Sequence, residues 1–372
     1  MTNTEDAQDA EIFQRETAAF GGRFHRDLAP APVKAVYEEV AERAKDLIAG
    51  ARNAVQGLPP IHFDFIHNAA INAVAFRASD RYFIGINTGT LFMLRMVIGR
   101  MLSDPRVFTS IGDPSEEVGD LKPMKDYRPD ADAILRTNQI LTPRNAIRGA
   151  YAWFLQDQAI MFFIGHEIAH VSRGHVDYLL AKRGMPQASE FSKSATNGDK
   201  ESRIERQALE QDADRRSIIS RIDSLRVTQQ KPRYTSPPWS PADNSPFPLI
   251  RDWTVSLSIL FRLFGDVRFS GAELREASYP PLPIRRLYAE MVGKWMIETE
   301  WDAALKKTAT NAMNQGRNKA EEAFATILGE SVSMHGFVQA KSRAGINHGM
   351  RIEEYWNSTL VDKLRPYSYE EF

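Results

Sequence analysis

HEIAHVSRGH, residues 166–175, followed forty residues after His170 by EQDAD at 210–214, decides how this chain is read. Histidines four apart on a helix lie about one turn from each other on one face, so both imidazoles of His166 and His170 can reach a single metal ion. Glu167 falls between them on the neighbouring face, where a carboxylate can serve as general base. Two neutral nitrogen ligands and a base, with space for a third protein ligand, form the arrangement of a hydrolytic zinc centre. Such a centre keeps its fourth coordination position open. The chain has eight histidines among 372 residues, so a chance match has a probability on the order of 0.01.

The third ligand must come from elsewhere, and His175 and Glu210 are the candidates. Glu210 is favoured because Glu210 and Asp214 share a helix face. One carboxylate would bind the metal while the other holds the outer ring nitrogen of a ligand histidine and fixes its tautomer. His175 follows His170 by five residues, directly after Gly174. The metzincin pattern instead puts a histidine six residues on, with glycine midway. His175 is therefore read as an outer partner, with ligation as its alternative. Taken alone, Glu210 and Asp214 would be a solvated acidic face answered by Arg215 and Arg216. His25, His62, His67, His335 and His348 lack ligand spacing and are read as core or surface residues.

Composition limits the other possibilities. Lys and Arg number 47 against 48 Asp and Glu, a formal net charge of -1. A nucleic-acid module would normally show a basic excess, so none is expected. There is no cysteine, which excludes disulfides and thiolate ligands and leaves His and carboxylate to hold one Zn2+ per chain. The start MTNTEDAQDAEIFQRE is polar and acidic, unlike a secretory signal. The apolar runs near 159–165 and 253–264 are too short or too interrupted to span a bilayer. A soluble, cytoplasmic protein that uses no membrane is expected.

The pattern along the chain predicts an α+β fold, mainly α-helical, with a small β-sheet beside the helix that carries the histidines. Residues 1–30 read as a loosely attached segment, 31–300 as the main domain and 301–372 as a helical extension. A helix is expected over 32–55, with Pro32 in its first turn and Gly57, Pro59 and Pro60 after its end. Residues 61–90 alternate as strands around a turn at Ala78, Ser79 and Asp80. Further helices fit 90–102, 148–175, 200–224, 249–263, 283–299 and 301–328, with a long polar connection over 103–145. A surface loop is expected around Asn197 and Gly198. Six prolines between Lys231 and Pro248 mark a structured loop or flap. The aromatics Tyr151, Trp153, Phe154, Phe162 and Phe163 are read as core, and the tail after Gly349 gives no clear pattern.

These motifs resemble those of the gluzincin-type metallopeptidases, which combine HExxH with a downstream ExxxD. Among them the chain looks most like the phage-exclusion peptidases of the Lit family. The resemblance rests on HEIAHVSRGHVDY (166–178), EQDAD (210–214), NAVAFRASDRYFIGINTG (72–89) and SYPPLPIRRL (278–287), within residues 70–290. It implies a zincin-like core, zinc held by His166, His170 and Glu210, Glu167 as the base, and a strand edge able to hold a peptide. It also implies a protein or peptide substrate, with a host translation factor cleaved during phage infection. The family's Ser-His-Pro-Pro segment, whose His steadies the transition state, here has Tyr279 in place of that His, and a phenol can also donate to an oxyanion. Two rivals stand beside it. One is an ImmA-like repressor-cleaving peptidase, although those usually carry Ala-Asn where this chain has Ala213-Asp214. The other is a catalytically silent, zinc-containing binding module, which would have no use for Glu167.

Overall fold

A computed structural model describes residues 3–124, 140–183, 187–189, 200–229, 237–239, 247–264, 269–277, 279–301 and 303–372. The fold is mainly helical, with one small sheet. In chain order the first elements are α1 (Asn3–Thr17), α2 (Ala31–Ala54), β1 (Ile61–Ile66), β2 (Ala73–Ala78), β3 (Arg81–Asn87) and α3 (Thr88–Leu102). Next come α4 (Ala146–Ser172), α5 (His175–Arg183), β4 (Gln187–Ser189), α6 (Lys200–Gln229) and α7 (Phe247–Phe264). The chain continues with α8 (Gly271–Glu276), α9 (Leu282–Glu300), α10 (Ala303–Leu328), α11 (His335–Ala340), α12 (Arg343–Tyr355) and, after a π-turn at Trp356–Leu360, α13 (Val361–Leu364). The loop expected around Asn197 and most of the proline-rich stretch lie outside the described residues. Of the latter, Trp239 packs its ring 5.1 Å from that of Phe154, tilted by 47°, and donates from Nε1 to Asp252, so this part covers the core.

The sheet order is β1-β3-β2-β4, with β1 parallel to β3 and the other pairs antiparallel. Ser79 and Asp80 have φ of 47° and 59°, the left-handed pair that a two-residue hairpin needs to match strand twist. Alternation sends Phe63, Phe65, Ala75, Ile84 and Ile86 into the main core, while Ile66, Val74, Phe76 and Phe83 face the other way. That second face is closed by Ile12 and Phe13 of α1. Residues 3–17 are therefore packed rather than loose. Their largely polar helix carries only these two large apolar anchors, and the strand face they cover is what demands them. The resemblance implies a peptide-holding edge on the strand pair of 72–89, and of that pair the outer edge of β2 is taken by β4 of the same chain, Val74 opposite Ser189 and Phe76 opposite Gln187.

Helix α4 runs through the centre, buried on nearly every side, as a helix apolar all round must be. It begins behind Asn145, whose side chain accepts from the N–H groups of Ile147 and Arg148. Arg148, fully buried, donates to the carbonyls of Leu102, Asp104, Val107, Phe108 and Ile111. One guanidinium thus satisfies the backbone of the polar connection after α3. Residues beyond 300 share the core, Met313, Phe324, Ile352, Trp356 and Leu364 belonging to the same cluster as α4. The last turn of the chain returns to the end of α4, where Tyr369 N donates to Ser172 O. No helix of the described residues is long and apolar enough to cross a membrane.

One buried histidine carries a pH prediction. His348 lies 2.7 Å through Nε2 from Gln207 Oε1, and burial, with Arg351 beside it, pushes its pKa down to about 4. The folded state holds this ring neutral while the unfolded chain takes a proton below about 6.5. Stability is therefore unaffected above that pH and falls by about 1.4 kcal/mol per pH unit between about 6.5 and 4. Urea melts at pH 7, 5.5 and 4.5 should show a shallower decline for His348→Gln than for the wild type; equal declines would refute the assignment.

Candidate metal centre

Close approach of two helices builds the site. Gly165 has no side chain, and a Cβ there would stand 2.7 Å from Ser217 Oγ of α6. Ser217 Oγ donates to Phe162 O at 2.7 Å, pinning α6 against α4. Glu210, Asp214 and Ser217 lie on one face of α6, spaced at helical intervals. With the helices antiparallel, Ser217 meets Phe162, Asp214 meets His166, and Glu210 reaches both His166 and His170.

The outcome is a buried cluster of His166, His170 and Glu210 that could hold a metal ion. The two Nε2 atoms are 3.0 Å apart. Glu210 Oε2 is 3.4 Å from His166 Nε2, and Oε1 is 3.6 Å from His170 Nε2. Ligands held about 2.0–2.1 Å from one centre at tetrahedral angles stand about 3.3 Å apart, so these separations suit a small cation.

The outer nitrogens fix the tautomers. His166 Nδ1 lies 3.0 Å from Asp214 Oδ1, so it carries the proton and its Nε2 presents a lone pair. His170 Nδ1 lies 3.0 Å from His175 Nδ1, and His175 Nε2 is 3.2 Å from Asp212 Oδ2. The charge of Asp212 beside it favours the proton on His175 Nε2, although the contact lacks hydrogen-bond geometry, leaving His175 Nδ1 to accept from His170. His170 thus also turns a bare Nε2 inward. Burial pushes the pKa of His170 well below its ordinary value, helped by the neighbouring His166, His175 and Arg285, and burial lowers that of His175 too. Two lone pairs therefore face a carboxylate whose Oε2 is buried with no hydrogen-bond donor. Such a convergence of electron-rich atoms repels itself unless a cation occupies the middle.

Arginines complete the surroundings. Arg285 of α9 grips Asp214 with Nε at 2.8 Å and Nη2 at 2.7 Å, and Arg173 grips Asp212 at 2.8 and 3.0 Å. Burial would raise both carboxyl pKa values, but the net effect is to lower them. Arg285 and His166 outweigh burial at Asp214, and His175 and Arg173 do so at Asp212.

The sequence motifs are thus divided in space. Glu167 is fully buried on α4, next to His166. His175 stands behind His170, on the ring side away from Glu210. Arg215 and Arg216 do not answer Glu210 and Asp214; they pair at 2.6 Å with Glu353 and Glu370. Tyr279 is half-buried where the chain enters α9, six residues before Arg285. Its segment is tied to α6 by Gln207 Nε2, which donates to Ala277 O one turn before Glu210. Sequence reasoning missed Arg173, Asp212 and Arg285. Their signal was the charge sequence itself, an acidic residue between Glu210 and Asp214 and an arginine pair after the prolines, but pairing across such distances has no local pattern. Comparison with protein-family models, curated proteins and solved structures gives no match for this chain.

The relay from Asp212 makes a prediction. Asp212→Asn removes the anion that orients His175, and metal affinity should fall about 10–100-fold. Competition with a chromophoric chelator measures this, and unchanged affinity would show that the relay does not act on His170.

Proposed function

We propose that this chain is a zinc-dependent endopeptidase with a zincin-like core, of the gluzincin type and most like the Lit family. The observation that carries the reading is the convergence of His166 Nε2, His170 Nε2 and the Glu210 carboxylate, with Glu167 on the same turn of α4. A nitrogen and carboxylate donor set without sulfur, three ligands in number, is that of a catalytic zinc. Zinc supplies Lewis acidity there, for activating water and polarising a carbonyl oxygen.

The chain's own residues do the rest. Glu167 accepts a proton from the attacking water and delivers it to the leaving amine. Asp214, locked by Arg285, holds His166 in its ligating tautomer, and Asp212 does the same for His170 through His175. Tyr279 is assigned to donate its phenolic proton towards the oxyanion that forms at the scissile carbonyl. The substrate is an intracellular protein, and the Lit resemblance points to a host translation factor and to phage exclusion in the cytoplasm. The test is a comparison of protein termini in cells making wild-type or Glu167→Gln protein. A new amino terminus found with the wild type alone names the substrate; identical termini argue against the proposal.

Burial favours a second reading. His166, Glu167, His170 and Glu210 are all at most 4% exposed, as befits a metal that staples a binding module and turns nothing over. Against this stands Glu167 itself, because a structural site gains nothing from an extra buried carboxylate.

A further inference from the structure

We infer a second site, independent of the metal centre, that binds a small oxyanion where α7, α9, α10 and the segment before α11 meet. A cavity of about 30 Å3 lies there, lined among others by Arg262, Arg286, Glu321, Ser333 and the first residues of α9, Leu282 and Pro283. By this measure a water needs about 10–15 Å3, so the space suits two waters or one small oxyanion.

Charge and unmet donors define what it takes. Arg286 Nη1 bonds Glu321 Oε1, Arg262 Nε stands 3.8 Å from Glu321 Oε2, and Arg317 Nη1 is 2.6 Å from Glu290 Oε2. Three guanidiniums thus share two carboxylates. The side chain of Arg286 is only 9% exposed, and its Nε is 4.0 Å from Glu290 Oε1, beyond hydrogen-bond reach. That oxygen is itself buried without a donor, whereas Arg286 Nη2 and Arg262 Nε are buried without an acceptor. Buried guanidinium N–H groups are costly to leave unmet and pair best with carboxylate or phosphate oxygens. The start of α9 offers no further amide donors, because Pro283 has none and the N–H groups of Ile284 and Arg285 bond Pro281 O, so the arginines define the site. The neighbouring Arg285 is committed to Asp214, so Arg285 and Arg286 serve two different places.

Titration calorimetry of the full-length protein tests this, with inorganic phosphate and with acetate as separate probes in chloride buffer of fixed ionic strength. One saturable equivalent per chain is expected, weakened at least tenfold in Arg262→Gln and less so in Arg262→Lys, which keeps the charge but not the planar fork. Stronger phosphate binding identifies a phosphoryl-bearing ligand, and stronger acetate binding a carboxylate; both support the site. Ser333→Ala gives a second readout if Arg262→Gln does not fold. The inference is overturned if neither probe gives saturable heat, or if binding is unchanged in the Arg262 and Ser333 variants.

Discussion

Glu167→Gln is expected to keep its metal and to lose peptide hydrolysis by about 10²–10⁴-fold, the usual contribution of a positioned general base. The substitution preserves shape and removes only the ability to accept a proton. His166, His170 and Glu210 would be untouched, so metal content measured by elemental analysis should match the wild type while turnover of a labelled protein substrate collapses. Full activity would reject the mechanism. Loss of metal together with activity would give Glu167 a different job, as part of the charge that holds the cation. A wild type without turnover on any protein would favour the stapled binding module, and the metal analysis would still distinguish that case from an empty site.

The second large effect concerns the ion itself. At free metal about 1,000 times its dissociation constant, binding to the native state alone adds about 4 kcal/mol of stability. Stripping the metal with a chelator should therefore lower the melting temperature, and returning zinc should restore it. Glu210→Ala should abolish this dependence, with affinity down about 10³-fold or more, beyond the 10–100-fold that loss of an outer partner costs. Calorimetry with and without zinc decides it. A full zinc-dependent shift in Glu210→Ala would remove Glu210 from the ligand set. His175 would not be a ready substitute, since its Nδ1 faces the far side of His170.

Much of this site was legible because helical spacing is a local property. A spacing of four between the histidines, and of four from Glu210 to Asp214, puts each pair on one face before any tertiary structure is known. The helices over 31–54, 88–102 and 282–300 were likewise legible from periodicity, the first and last also from prolines at their starts. What escaped was decided by contacts remote in sequence. The amino-terminal helix looked expendable because its apolar content is small, yet Phe13 is fully buried against the strand face that the alternation of Val74 and Phe76 leaves uncovered. The tail after Gly349 gave no pattern because its few core residues, Ile352, Trp356, Leu360 and Leu364, are spread over short elements and mixed with polar contacts to α4. Arg173 stacks 3.9 Å over the Phe372 ring and donates to Glu371 O while holding Asp212. Arg285 was overlooked because a buried arginine is recognised only by the carboxylate it faces.

The helix carrying His166 and His170 is synthesised well before its partners. Glu210 follows forty residues later, Arg285 some seventy-five after that, and Glu371, whose carbonyl accepts from Arg173, some eighty-six after Arg285. A nascent chain therefore offers an incoming ion two donors, then three, and a fully braced set only when the ribosome reaches Glu371. Tight metallation is thus expected only in chains that extend through all of these residues. Pulse-labelled chains stalled at residue 205 should exchange bound zinc far faster than released ones.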